Sequence, residues 1–221
     1  MSSSFQLYVI RHAQSANNAL PESQRVEDPS ITEIGQQQVQ RLADRFRDVP
    51  ITHALTSAFL RAVQTMQPLA EAVGAEPEIW TDLHEVGGCF AGHAPSELVG
   101  RPGMNRETLQ ERFPEFQLPD DIDEHGWWKS QSYEDYRVAQ RRAKTQAARL
   151  LDEFDGTDAK VACVIHADFK DLLLRVLIPE DYQEFADLKN TGVTELRCSN
   201  TGVELVELND VSHLTNELMT S

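Results

Sequence analysis

The sequence predicts an α/β fold: a three-layer α/β/α arrangement with a mostly parallel central sheet, an antiparallel edge strand near the C-terminus, and a helical and loop cap insertion. Two observations point to the parallel sheet. Residues 7–10 and 161–165 are short, uninterrupted apolar runs rich in Val and Ile, as expected of strands covered on both faces. Helical apolar periodicity follows each run before the next extended segment. A third observation gives the antiparallel edge, because Ser199-Asn200-Thr201-Gly202 is a turn signal between extended segments 194–197 and 203–208. At 221 residues the chain suffices for one sizeable domain, 1–221, with the insertion at about 86–132.

Taken in order, the strand at 7–10 gives way to a polar loop over 16–30 carrying Pro21 and Pro29. Thr32 has the character of an N-cap, and Val39, Leu42, Ala43 and Phe46 form the apolar stripe of a helix that Pro50 ends. A short strand over 51–55 follows. Thr56 and Ser57 are expected to cap a helix over 58–73, in which Pro68 predicts a kink or break and Gly74 a C-cap. Residues 78–81 are weakly extended. Between 83 and 132, glycines, prolines and the acidic run 120–124 interrupt any long periodicity and leave one short helix at 105–112. Such a polar insertion is expected to act as a cap. A long helix spans 133–154, a buried strand 160–165, and a helix 167–177 that Pro179 ends. The polar tail 209–221 is expected to be only partly ordered.

A formal net charge of −16 and a pI of about 4.8 argue against nonspecific nucleic-acid or anionic-membrane binding, which need basic surface. Any phosphate site is then a local basic pocket in an acidic envelope, more open to small phosphorylated metabolites than to bulky polyanions. Cys89, Cys163 and Cys198 are widely spaced with no CxxC, which fits a reducing compartment rather than a disulfide framework or a zinc site. No run approaches the roughly 20 apolar residues of a membrane span, and no signal h-region is recognisable; the expected location is cytoplasmic.

The residues that carry chemistry sit at strand ends. The first strand stops at Arg11-His12-Ala13-Gln14-Ser15, and the strand at 160–165 stops at His166. Ligands of open α/β sheets bind at the carboxyl edge of the strands, and two parallel neighbours would bring both histidines there. A guanidinium beside an imidazole makes an oxyanion clamp next to a nucleophile or acid/base; taken alone, the pair is an exposed Arg and a packed His. His166 also opens a helix, whose free N–H groups favour an anion. Arg61, in the first turns of its helix, can face the same edge, and Glu85 stands at the mouth of the insertion. Trp127 and Trp128 either anchor the insertion to the core or face the substrate, with Trp127 the candidate to stack on a sugar ring or aromatic leaving group.

Arg11-His12-Ala13-Gln14-Ser15, with Asn18 following, resembles the Arg-His-Gly signature of the histidine phosphatase superfamily, the phosphoglycerate-mutase-like proteins. The likeness continues in Ile31-Thr32-Glu33-Ile34-Gly35-Gln36-Gln37-Gln38 and in Ser57-x-x-x-Arg61-Ala62-x-Gln64-Thr65. It extends through Leu83-x-Glu85, the strand ending at His166, and Leu208-Asn209-Asp210-x-x-His213-Leu214. The resemblance implies a covalent phosphohistidine mechanism with His12 as nucleophile. Arg11, Arg61 and His166 would surround the non-bridging oxygens, Asn18 would be a polar pocket residue, and Glu85 would protonate the leaving oxygen and later activate water. With arginines neutralising the charge, no metal or other cofactor is expected. Two departures from the family pattern matter. Ala13 replaces the usual Gly, which the turn tolerates provided φ is negative. Asp168 follows His166-Ala167 where the family more often has His-Gly; it either caps the helix or offers a carboxylate to a cationic or hydroxyl-rich leaving group. His84 and His93 are packing or surface residues unless the insertion folds them into the substrate site.

Three functions fit. The first is a phosphomonoesterase, a histidine acid phosphatase-like hydrolase of a small phosphorylated metabolite. The second is cofactor-dependent phosphoglycerate mutase-type transfer, disfavoured because residues 86–93 contain no Lys or Arg and the mutases' Lys-Gly-Glu element is missing. The third is a non-catalytic family member that binds phosphorylated ligands. The C-terminal hairpin also offers an edge through which a homodimer would pair.

Overall fold

The computed structural model describes residues 4–178 and 187–221. In chain order, strand β1 (Ser4–Arg11) is followed by a single helical turn α1 (Ala16–Ala19), helix α2 (Glu33–Phe46), strand β2 (His53–Thr56), helix α3 (Leu60–Val73) and strand β3 (Pro77–Ile79). The insertion holds the short strands β4 (Phe90–Ala91) and β5 (Val99–Gly100), paired antiparallel, and helix α4 (Arg106–Arg112). Helix α5 (Tyr136–Phe154), strand β6 (Lys160–Ile165), helix α6 (Ala167–Leu177) and the hairpin β7 (Val193–Ser199) and β8 (Gly202–Asp210) follow.

The central sheet has the order β3-β2-β6-β1-β7-β8. Its first four strands are parallel, β7 is reversed, and β8 forms the edge, antiparallel to β7. Alternation along the strands builds two cores. Leu7 and Val9 of β1, with Val161, Cys163 and Ile165 of β6, face α5 and α6, where they meet Ala143, Leu150, Phe169 and Leu173. Tyr8 and Ile10, with Ala162 and Val164, face α2 and α3, where they meet Leu42, Phe46, Val63 and Met66. Each of these large apolar side chains, once buried, contributes on the order of 1.5–3 kcal/mol. Covered on both faces, β1 and β6 make a rigid base whose carboxyl ends carry the two histidines.

Local chemistry departs from the sequence pattern at four places. Helix α3 starts at Leu60 rather than 58, with Phe59 at its N-cap; the Ser57 hydroxyl lies in the turn before it, accepting from Phe59 N–H at 3.3 Å and paired with His166. Pro68 does not break α3; Met66, Leu69 and Ala70 are buried on either side of it, and the helix continues through it until Gly74 closes it at φ 70°. Helix α5 begins at Tyr136, capped by the Asp135 side chain, and so leaves Tyr133 in the preceding loop. The tail is held rather than loose. Leu214 and Leu218 are buried, and the Gln38 carboxamide donates to the Leu218 carbonyl at 2.7 Å and the Thr220 hydroxyl at 2.8 Å. Pro179, expected to end α6, lies outside the described residues. Among the described residues no helix is long and apolar enough to cross a membrane.

Candidate active site

Parallel pairing of β1 with β6 sets Arg11 opposite Ile165, so His12 and His166 leave the sheet side by side with ring centroids 5.1 Å apart. The His12 backbone is tied down from both sides. Its N–H donates to the Ile165 carbonyl at 2.8 Å, and its carbonyl accepts from the Asn190 carboxamide at 2.9 Å. Ala13 is not among the residues with positive φ, so the turn accommodates its methyl group, and its N–H donates to Thr65 Oγ1 at 3.0 Å.

The imidazole of His12 has a defined tautomer. Nδ1 lies 2.7 Å from the Ala13 carbonyl oxygen, which can only accept, so the proton belongs on Nδ1 and the lone pair on Nε2. Arg61 Nε donates to that Nε2 at 3.2 Å. Burial, then Arg61 and Arg11, hold His12 well below the ordinary histidine range, so it is neutral and nucleophilic at neutral pH.

Arg61 is only 8% exposed, with its guanidinium 4.1 Å from the centroid of the Phe59 ring. Asp28 steadies it from the loop before α2: one carboxylate oxygen accepts from Leu60 N–H at 2.9 Å and lies 3.9 Å from Arg61 Nη1. Arg11 donates to the Leu188 carbonyl. Arg11 Nε, Arg61 Nη1 and His166 Nδ1 are buried without a hydrogen-bond partner. Unpaired buried donors are costly, and the two guanidinium N–H groups beside the His12 imidazole fit a ligand with acceptor oxygens. The other His166 nitrogen, Nε2, is 2.6 Å from Ser57 Oγ.

Glu85 reaches the start of α6 beside this group. Oε1 accepts from Val86 N–H at 2.8 Å and Phe169 N–H at 3.0 Å, and Oε2 from Asp168 N–H at 3.4 Å. Burial, reinforced by the Asp168 charge, pushes its carboxyl up to about 7 against these bonds and Arg61. A carboxyl that keeps its proton near neutrality suits a general acid.

These groups line a cavity of about 580 Å³. Arg11, His12, Asn18, Arg61 and Glu85 open onto it, while His166 is fully buried behind it against the Phe59 ring. Asn18 Oδ1 accepts from the Ser15 N–H and hydroxyl, both at 3.0 Å. His93 lines the cavity; His84 does not, being packed edge-on to Trp128 and held by burial at about 3. The structure does not bring Trp127 to the cavity. It is 2% exposed and stands edge-on to Phe59 at 4.7 Å, anchoring the insertion to the ring that supports Arg61. Asp168 does not cap α6 either: the N-cap is His166, whose own side chain makes no capping bond, the first-turn N–H groups are taken by Glu85, and Asp168 lines the cavity from that first turn. Arg25 and Tyr133 also line the cavity, and no local sequence pattern marks them. Asp28 carries a weak signal, an acidic residue before Pro29 in a polar loop. Among the described residues no three His, Cys, Asp or Glu side chains gather closely enough to hold a metal ion.

The histidine phosphatase superfamily (branch 1) model matches residues 7–211, and the chain belongs to that superfamily. Over 81 residues it is 33% identical to the probable phosphoglycerate mutase GpmB of Erwinia tasmaniensis, covering 37% of this chain and 38% of that protein. The chain thus matches less than two fifths of that relative's length. In fold it is similar to a phosphoglycerate mutase from Bacillus anthracis, with TM-score 0.65, 17% identity and 96% of each chain covered. It is likewise similar to an Entamoeba histolytica phosphoserine phosphatase in complex with phosphoserine, with TM-score 0.65, 20% identity, and 96% of this chain and 100% of that one covered.

Proposed function

We propose that the protein is a phosphomonoesterase that hydrolyses a small phosphorylated metabolite through a phosphohistidine on His12. The observation that carries this reading is the fixed tautomer of His12, with its Nε2 lone pair held by Arg61 in a cavity that also holds Glu85. In the first step the Nε2 lone pair attacks phosphorus, the P–O ester bond breaks, and its electron pair leaves with the ester oxygen, which takes the Glu85 proton. Arg11 and Arg61 offset the charge on the non-bridging oxygens. In the second step Glu85 accepts a proton from water while the water oxygen attacks phosphorus; the P–N bond breaks, its electron pair returns to His12 Nε2, and phosphate leaves.

Transfer back to an organic acceptor, as in a mutase, is the second reading, favoured by Arg25 at the cavity mouth as a partner for a substrate carboxylate. Hydrolysis is preferred because the insertion contributes Phe90, Ala91, Gly92 and His93 to the cavity and neither Lys nor Arg. Phosphate release from p-nitrophenyl phosphate and from a panel of phosphorylated metabolites tests the choice. The account expects release that His12→Ala abolishes. Interconversion of 2- and 3-phosphoglycerate outpacing phosphate release would assign the transfer reading instead.

A further inference from the structure

We propose that Asp168 selects phosphomonoesters whose leaving group carries an ammonium group, its carboxylate meeting that cation while Arg11 and Arg61 hold the phosphoryl group. This deepens the phosphomonoesterase reading and rests on it for the orientation of the ester in the cavity.

The cavity has two chemical ends. Around His12 lie the buried, unpaired donors of Arg11 and Arg61, which suit an anion. Beyond Glu85, which sits where the leaving oxygen must be protonated, Asp168 occupies the first turn of α6 and faces the same space. Among the described residues its carboxylate has neither a hydrogen-bond donor nor a cation within ion-pair distance, and it does not cap its own helix. Arg11 acts on it only at longer range, and partial burial raises its carboxyl while the residue stays exposed to the cavity. A carboxylate placed there opposes binding of a bare phosphoryl dianion; its charge helps to keep Glu85 protonated, and it remains exposed to the cavity, open to a ligand cation. A leaving group with an ammonium pairs with Asp168 and offsets the negative charge beside Glu85. An uncharged hydroxyl donor would pair with the carboxylate without offsetting its charge.

The test uses two probes of similar size, O-phosphoethanolamine and ethyl phosphate. His12→Ala protein, which cannot turn either over, is titrated with each by calorimetry, and the intact enzyme is assayed for kcat/KM on both. The expected result is a preference of about tenfold or more for O-phosphoethanolamine, the scale of one charged hydrogen bond. Adding Asp168→Asn should bring the ratio close to one, whereas Asp168→Glu should retain part of it. Equal binding of both probes, binding of neither, or a preference that survives Asp168→Asn overturns the proposal. If the preference appears in binding but the intact enzyme hydrolyses neither probe nor p-nitrophenyl phosphate, the phosphatase reading falls while the selectivity of Asp168 stands.

Discussion

Burial, then Arg61 and Arg11, keep the His12 imidazole neutral, while burial and the Asp168 charge keep the Glu85 carboxyl protonated up to about 7. Transfer from an alkyl phosphomonoester needs both states at once. Because the Glu85 shift is upward, the active protonation state persists through mildly acidic pH and is lost as pH rises through about 7. A kcat/KM profile with an alkyl phosphate should therefore fall on the alkaline side. Glu85→Gln should remove that limb and slow the reaction by roughly 10²–10⁴-fold, with a smaller loss for p-nitrophenyl phosphate, whose leaving group needs little protonation. Asp168→Asn should move the limb to lower pH; a limb that stays in place in both variants would remove Glu85 from its role. At this scale the sequence was most readable where one residue had one job. His12 and His166 each end an apolar run, and their positions followed from the strands alone. Asp28 and Tyr133 escaped because their work depends on where a loop folds, which no local periodicity encodes.

Each structural element places one part of the cavity. Strands β1 and β6 set the histidines, the start of α3 sets Arg61, and the start of α6 holds Glu85 through backbone N–H groups. Helix α2 approaches the loop after His12 so closely that a Cβ at Gly35 would run into the Gln14 carbonyl oxygen. Gly35→Ala should then cost about 1–3 kcal/mol in denaturant unfolding and lower kcat by shifting that loop. A variant with full stability and full activity would mean that the loop is free to move. The insertion is fixed by Trp127 against Phe59, whose ring also packs against Arg61 and His166. Trp127→Ala is expected to cost about 3–5 kcal/mol, measured by urea unfolding, because it empties a buried site. Sequence reading left Trp127 open between anchor and substrate contact, since a Trp in a polar insertion satisfies either pattern. Only the packing of Phe59 and Gly103 around it decides. Pro68 is the opposite case, a strong local signal overridden by the burial of Met66, Leu69 and Ala70.

On the scale of the whole molecule, the sheet order carries the function, because β6 is inserted between β1 and β2 and the histidines become neighbours. That order was foreseen only as a condition, since two apolar strands far apart in sequence do not state that they pair. Just below the site, Lys170 is fully buried, donates to the Gly192 carbonyl at 2.8 Å, and is brought down to about 7 by burial and then by Arg11. The unfolded chain keeps this proton to much higher pH, so between about 7 and 10 the unfolded state binds more protons and stability rises with pH. Wild-type protein should gain stability relative to Lys170→Met between pH 7 and 8.5, approaching about 1 kcal/mol per pH unit. Parallel curves for the two proteins would show that Lys170 does not titrate in the fold.

The account rests on a covalent bond between phosphorus and His12 Nε2. Rapid quenching of a substrate turnover in alkali, which preserves phosphohistidine, followed by peptide mass analysis, looks for that bond directly. The predicted result is one phosphoryl group on His12, absent from His12→Ala and accumulating in Glu85→Gln with p-nitrophenyl phosphate, where water attack lacks its base. Phosphate release at an undiminished rate with His12 unmodified, or with His12 replaced by Ala, would contradict it.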